Sequence, residues 1–477
     1  MRIIIACIFF TLVTHAHANN EEAISGTKKL SPADVLQSSS KQFPKILESI
    51  SEQRAAEARA LSAEGAFDLI FDVDSYGYAT GFYDGRSIEG TASRYLPVEG
   101  GPRVYGGYKL SNGTFPVYED KRFTNTGGQL NLGVLFSLLR DREIDPRRFN
   151  ETDTRLATRE AKFEVLLTKL GVAQKAMIAY WRWVALGQKK KVYKDLLLIA
   201  QKRQLGLEKK VEKGAHAKIV LTENLQNMTQ RKSLVANAQR DVAIAANELS
   251  LFYRDDEGNP IIVSEEYLPE YKPSKNSNNT YDTLDNLESL YNARPELKKL
   301  RNTITRALRK IKLNENALLP RLDFNIEAYS PLGTISEGGV SRDDNDVIIG
   351  LKFSVPLGQR AARGALAENK AQLNALKHRE RLLEDQIELE VRNVLLDLNT
   401  AENLLSLAKE EMSQADTLRK AEIRRFEQGA SDFFLVNIRE NTAAEAKIRF
   451  YLAGLQREIA QTNFDAATAN LRKLGIQ

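Results

Sequence analysis

Few side chains in this 477-residue chain are of types that could do covalent or metal chemistry, and their spacing does not bring them together. The one cysteine, Cys7, lies in an apolar leader, and of the four histidines only His216 and His378 lie outside it. Neither belongs to a pair at metal-ligand spacing, and no phosphate loop, dinucleotide fingerprint or nucleophile elbow occurs. Carboxylates are abundant, but on the helical stretches they mix with Lys and Arg as on any solvated helix face. No catalytic residue, metal or cofactor is expected.

The charges with an informative setting are Asp68, Asp72, Asp74, Asp323, Glu327 and Lys352. Each sits in a short run of alternating polar and apolar residues, so its chemistry is that of a wet, ion-lined surface rather than a reaction centre. Phe67, Leu69, Phe71 and Val73 alternate with Asp68, Ile70, Asp72 and Asp74. Leu130 to Leu138 repeats the pattern, and Leu322, Phe324, Ile326 and Ala328 alternate with Asp323, Asn325 and Glu327. In the last run, Val347, Ile349, Leu351, Phe353 and Val355 share one face, opposite Asp346, Gly350, Lys352 and Ser354, with Ile348 the exception. Period two means strand, with one oily and one wet side.

Four such strands are expected. Residues 84–126, rich in Gly, Tyr, Asn and Ser, read as a long loop with extra hairpin structure around Tyr105 to Tyr118. Tyr76, Tyr78, Phe82 and Tyr83 form an aromatic cluster suited to a membrane–water boundary, or alternatively to packing a small sheet.

The strands must be held by very long helices. From Arg360 to the C-terminus no proline occurs, and Leu383, Ile387, Val391, Val394, Leu398, Ala401, Leu405, Ala408, Met412 and Ala415 mark one apolar seam. A helix from 360 to about 428 spans on the order of 100 Å. Gly429-Ala430-Ser431-Asp432 breaks it and starts a second helix, from 433 to about 473. An earlier pair, about 151–213 and 218–253, turns at Gly214-Ala215-His216-Ala217. Helix is also expected from Ser31, interrupted at Pro44, and over 282–319, with a fresh start at Pro295.

Two anchors point to an internal duplication. Gly133-Val134-Leu135-Phe136-Ser137-Leu138 matches Gly350-Leu351-Lys352-Phe353-Ser354-Val355, and Val211-Glu212-Lys213-Gly214-Ala215 matches Phe426-Glu427-Gln428-Gly429-Ala430. The resulting division is a leader at 1–18, a first repeat at 19–253, a connector at 254–281 and a second repeat at 282–477.

Composition narrows the class. With 27% charged and 42% hydrophobic residues the chain is no helical membrane protein, and its net charge of +5 is spread over mixed-sign helices, so nucleic acid is not an expected partner. Met1-Arg2, the apolar run Ile3 to Val13 and Ala16-His17-Ala18 read as a signal peptide cleaved before Asn19. No later run reaches the length of a transmembrane helix, so any crossing of a membrane must be by β-barrel. Four strands per chain are too few for a barrel, which needs about eight, so several copies must pool theirs. Asp68, Asp72, Asp74, Asp323, Glu327 and Lys352 would then line the lumen.

On these strand-to-helix junctions, on Arg294-Pro295-Glu296-Leu297 leading to Leu318-Leu319-Pro320, and on the Gly-Ala tips, the chain resembles the TolC-like outer-membrane efflux proteins over nearly its whole mature length. The resemblance implies an α+β membrane protein, a homotrimer with two β-hairpins per chain in a twelve-stranded outer-membrane β-barrel, continued by a periplasmic α-helical barrel. It also implies a periplasmic adaptor and an inner-membrane pump as partners, in a tripartite efflux or type I secretion system. Outer-membrane lipid would surround the barrel. By position, Gly214, Ala215, His216, Gly429, Ala430 and Ser431 would meet the adaptor, unless the glycines serve turn geometry alone.

The sequence departs from the family twice. Where some relatives carry paired aspartates beyond the second tip, Leu435-Val436-Asn437-Ile438 stands here, and no cysteine follows the leader for lipid attachment. The rival reading is a periplasmic coiled-coil scaffold or adaptor without a pore; an enzyme on a helical stalk is more distant.

Overall fold

The computed structural model describes residues 29–215, 217–273, 287–335 and 344–476. The expected leader, His216 and the end of the connector lie outside the described residues. Proline, glycine and short polar side chains set the element boundaries. Ser31 caps helix α1 (Pro32–Gln42) in a reciprocal box with Asp34, and Pro44 starts α2 (Pro44–Glu64). After strands β1 (Ile70–Gly77), β2 (Arg86–Tyr95), β3 (Arg103–Asn112) and β4 (Gln129–Ser137), Asp145 caps α3 (Pro146–Glu212) through the backbone N–H groups of Arg147 and Arg148. Helix α4 (Ile219–Ser250) returns beside it. The second half runs through α5 (Leu287–Ala293), α6 (Pro295–Asn316), β5 (Arg321–Pro331), β6 (Asp346–Ser354), α7 (Arg360–Glu427) and α8 (Phe433–Ala467).

Among the described residues, six strands form one antiparallel sheet in the order β1-β2-β3-β4-β5-β6. This corrects the four-strand expectation: the stretch read as a long loop holds β2 and β3, paired without a break from Arg86↔Asn112 to Tyr95↔Arg103. The first half therefore supplies four strands and the second half two. The twelve-stranded barrel that the resemblance implies counts four strands per chain, against the six in this sheet.

A second correction concerns Asp68. Gly65 to Phe67 form a single 3-10 turn with Phe67 buried, and β1 begins only at Ile70, so Asp68 stands at the helix–sheet junction rather than on the strand.

The long helices α3 and α7 have 67 and 68 residues, each about 100 Å at 1.5 Å per residue. Helix α3 is the spine, touched by α1, α2, α4, α6 and α8. Its middle carries the largest buried side chains, Trp183 and Tyr180, packed with Val35, Val242, Leu249 and Phe450. The Tyr180 hydroxyl is satisfied by donating to the Leu30 carbonyl at 3.0 Å. The connector is not a loose tether. Leu268 seats where α3 has Gly187 and Tyr271 where α8 has Gly454, and an added Cβ at either glycine would lie 2.5 Å from that partner.

Nearer the sheet, polar ties replace the aromatic core. Arg306 of α6 bonds Asp153 (2.8 Å) and Glu160 (2.7 Å) of α3, while Arg301 bonds Glu380 and Glu384 of α7. The Asp153 hydrogen bond raises the Arg306 pKa above the ordinary guanidinium value.

Candidate functional site

Cross-strand partners share a face, so the register sorts the whole sheet into two sides. One side carries Phe71 and Val73 of β1, Leu130, Leu132 and Val134 of β4, Phe324 and Ile326 of β5, and Ile349, Leu351 and Phe353 of β6. These are large, mostly exposed hydrophobics, with Ile349 at 67% and Phe71 at 70%. Such a surface is unstable against water and stable against lipid.

The opposite side is wet. Asp72 and Asp74 lie opposite Thr91 and Glu89, and Glu89 pairs with Lys109 at 2.9 Å. Asp323 lies opposite Lys352 and accepts bonds from Ser137 Oγ (2.9 Å) and Arg321 Nε (2.6 Å). Tyr105, Gly133 and Glu327 are successive partners across β3, β4 and β5. A Cβ at Gly133 would strike the Tyr105 ring at 2.3 Å, so the glycine is what lets the phenol cross β4. Its hydroxyl donates to Glu327 at 2.5 Å, and Tyr329 donates to the same carboxylate at 2.7 Å. Of the six expected lumen residues, five share this face, and Asp68 does not.

Tyr76, near the far end of β1, clusters with Tyr78, Phe82 and Tyr83 just beyond it, with successive ring centroids 5.1–5.8 Å apart. Phe82 is 91% exposed, so the cluster is not the core of a small sheet.

The helical hairpins end in the same turn. Gly214 (φ 71°) and Gly429 (φ 77°) take left-handed conformations that L side chains adopt with strain. The Ala215 N–H bonds the Lys210 carbonyl and the Gly214 N–H that of Val211. At the second tip Ala430 bonds Arg425 and Gly429 bonds Phe426. Both are Schellman caps. The tips differ on the return side: Asp432 caps α8 through the Leu435 N–H (2.7 Å) and Ser431 donates to Glu422, whereas α4 starts without a side-chain cap. An added Cβ at either glycine would meet nothing within 4 Å.

Sequence reasoning passes over a cluster just behind the tips. Arg203 on α3 and Glu440 on α8 each lie eleven residues from their tip glycine. Glu440 bonds Arg203 and, at 3.1 Å, Arg231 of α4, and the Glu440 and Arg231 side chains are 0% and 2% exposed. Arg203 also bonds Asn437 (3.1 Å), and Arg231 also bonds Asn441 (3.2 Å) and the Leu196 carbonyl (2.9 Å). Burial pushes the Arg231 pKa down, against the pull of Glu440. This tie binds α3, α4 and α8 roughly 16 Å from the tips. Equal distance from the tips was the one signal for it in the sequence.

Among the described residues no helix is long and apolar enough to cross a membrane, and no group of three or more His, Cys, Asp or Glu could hold a metal ion.

No protein-family model matches the chain, and no curated protein matches it in sequence. Solved structures do. The Campylobacter jejuni CmeC outer membrane channel aligns with a TM-score of 0.60 at 12% identity, covering 97% of this chain and 94% of that one. The open state of the Neisseria gonorrhoeae MtrE outer membrane channel aligns at 0.61 and 11% identity, covering 96% and 98%. The Vibrio cholerae outer membrane protein VceC aligns at 0.61 and 13% identity, covering 92% and 96%. The chain has the fold of these channels, and the likeness to TolC-like proteins is one of fold along nearly its whole length.

Proposed function

We propose that this chain is the outer-membrane channel of a tripartite efflux or type I secretion system, a passive exit duct across outer membrane and periplasm. It works as a homotrimer whose pooled strands close a β-barrel in outer-membrane lipid and whose helices continue the bore through the periplasm. A periplasmic adaptor docks on the tips, and an inner-membrane pump supplies the energy. The division into leader (1–18), first repeat (19–253), connector (254–281) and second repeat (282–477) belongs to the same reading.

The observation that carries it is the sheet: one face apolar and one polar, over all six strands, at the end of helices about 100 Å long. A scaffold without a pore has no use for the apolar face. Closure by copies is favoured by what one copy leaves open. The edge strands β1 and β6 are exposed along almost their full length, and unpaired edges are a liability that assembly removes. As neighbours across copies they would run antiparallel, since the sheet has an even number of alternating strands.

Fractionation tests the reading: the protein should stay with outer membrane until detergent is added and run as a compact oligomer in unheated gels. Release by salt alone as a monomer would contradict it. For the tips, Gly429→Val should impair export while leaving the oligomer in the membrane, because the turn sits far from the barrel. Unchanged export by a chromosomal mutant would remove the tip assignment.

A further inference from the structure

We propose that the β2–β3 hairpin stands in the barrel wall, so that three copies close a barrel of eighteen strands rather than twelve, with a correspondingly wider outlet. The inference rests on the channel reading above and deepens it.

The hairpin could instead project as a surface flap. Four observations place it in the wall. It is inserted into the ladder between β1 and β4, which do not pair with one another. Its faces keep the division of its neighbours. Ile88, Gly90, Ala92, Val104, Tyr108 and Leu110 continue the apolar side, with Arg86 and Arg94 at its two margins, whereas Glu89, Thr91, Ser93, Tyr105 and Lys109 continue the wet one. The wet side is knitted to β4 and β5 by Asn131 donating to Glu89 (3.2 Å) and Tyr105 to Glu327. A flap in water has no reason to hold a lipid-compatible face in register with the rest.

Its height also fits. Both strands have ten residues, within the 9–11 or so that cross a bilayer at a tilt. The turn between them reaches the helix side of the sheet and is fastened there. Gly100 N–H bonds the Arg142 carbonyl (2.8 Å), Glu99 pairs with Arg142 (3.0 Å), and the Arg147 guanidinium lies 3.7 Å over the Tyr95 ring. The hairpin therefore runs the full distance between the two ends of β1 and β4.

Barrel diameter grows roughly linearly with strand number, so eighteen strands give a bore about half as wide again as twelve.

Since Cys7 is the only cysteine in the chain, single cysteines can be placed and labelled with an environment-sensitive fluorophore. The full protein carrying Ile88→Cys or Leu110→Cys, in vesicles with brominated acyl chains, should be quenched as strongly as Ile326→Cys and Ile349→Cys. Glu89→Cys and Lys109→Cys should escape quenching and react with a hydrophilic maleimide. Quenching at 326 and 349 but not at 88 and 110 would overturn the eighteen-stranded wall and leave the channel standing. No quenching at any of the four would overturn the membrane barrel itself. As a second arm, deletion of 86–112 joins Gly85 to Gly113, beside an existing Gly85 N–H to Thr114 carbonyl bond of 3.0 Å. The resulting trimer, seen end-on by electron cryomicroscopy, should be narrower than the parent; equal diameters would contradict the proposal.

Discussion

Helices α3 and α7 are nearly equal in length and end in the same glycine turn, yet they are used in opposite ways. Helix α3 is enclosed: five other helices touch it, and Tyr180, Trp183 and Val184 at its middle are 1% exposed or less. Helix α7 buries one seam, Ile387, Val391, Leu395 and Leu398, and leaves Leu382, Leu389, Leu396, Leu404 and Leu407 in solvent. The seven-residue steps from Leu382 to Leu389 to Leu396 keep the first three on one side, as in a coiled-coil seam. The chain is thus folded around its first hairpin and leaves one apolar side of the second uncovered.

The contrast is broken most severely at the spine. Trp183→Ala should cost about 3–5 kcal/mol of stability, whereas Leu396→Ala, on an exposed face, should cost within about 0.5 kcal/mol in the dissociated subunit. Thermal melting of both checks this, and equal costs would mean that α3 is no more internal than α7. Next is the tie that holds the second hairpin to the first. Glu440→Ala leaves the buried Arg231 guanidinium and the half-buried Arg203 one without their carboxylate and should cost about 3 kcal/mol. Faster hydrogen exchange in α8 near the tip, with the sheet end unchanged, is the accompanying expectation.

The outward face of α7 is tested through assembly. Leu389→Lys with Leu396→Lys should abolish the compact oligomer in unheated gels while leaving subunit melting within about 0.5 kcal/mol of the parent. An intact oligomer would show that these leucines do not face a neighbouring copy. The smallest effect is on α7–α8 packing at low pH. Arg449 beside Glu411 at 2.7 Å holds that carboxyl below its ordinary value. The pair therefore supports the packing above the ordinary value and loses that support as pH falls through the lowered one. Arg449→Ala should flatten this slight acid dependence of melting.

The sequence exposed whatever followed a strict period. Strands β4, β5 and β6 were legible because large apolar residues occupy alternate positions, and α7 because no proline interrupts its seam. The β2–β3 hairpin was hidden because its apolar side is built partly from Gly90, Ala92 and Gly106 and has Arg86 and Arg94 near its ends. Only pairing with larger neighbours reveals it. Asp68 was misplaced because Phe67 and Leu69 prolong the alternation upstream, while Gly65 turns the chain before the sheet begins. The charges of the tie read as solvated helix faces, since their burial comes from a third helix distant in sequence. Leu268 and Tyr271 in the connector gave no signal because their sockets are glycines on α3 and α8.

The most direct measurement is single-channel recording of the purified oligomer in planar bilayers, before and after heating. Stepwise ion conductance from the unheated oligomer, lost when heat separates its chains, is the expected result. A mature product that is monomeric, dissolves without detergent and never conducts would contradict a duct assembled from several copies.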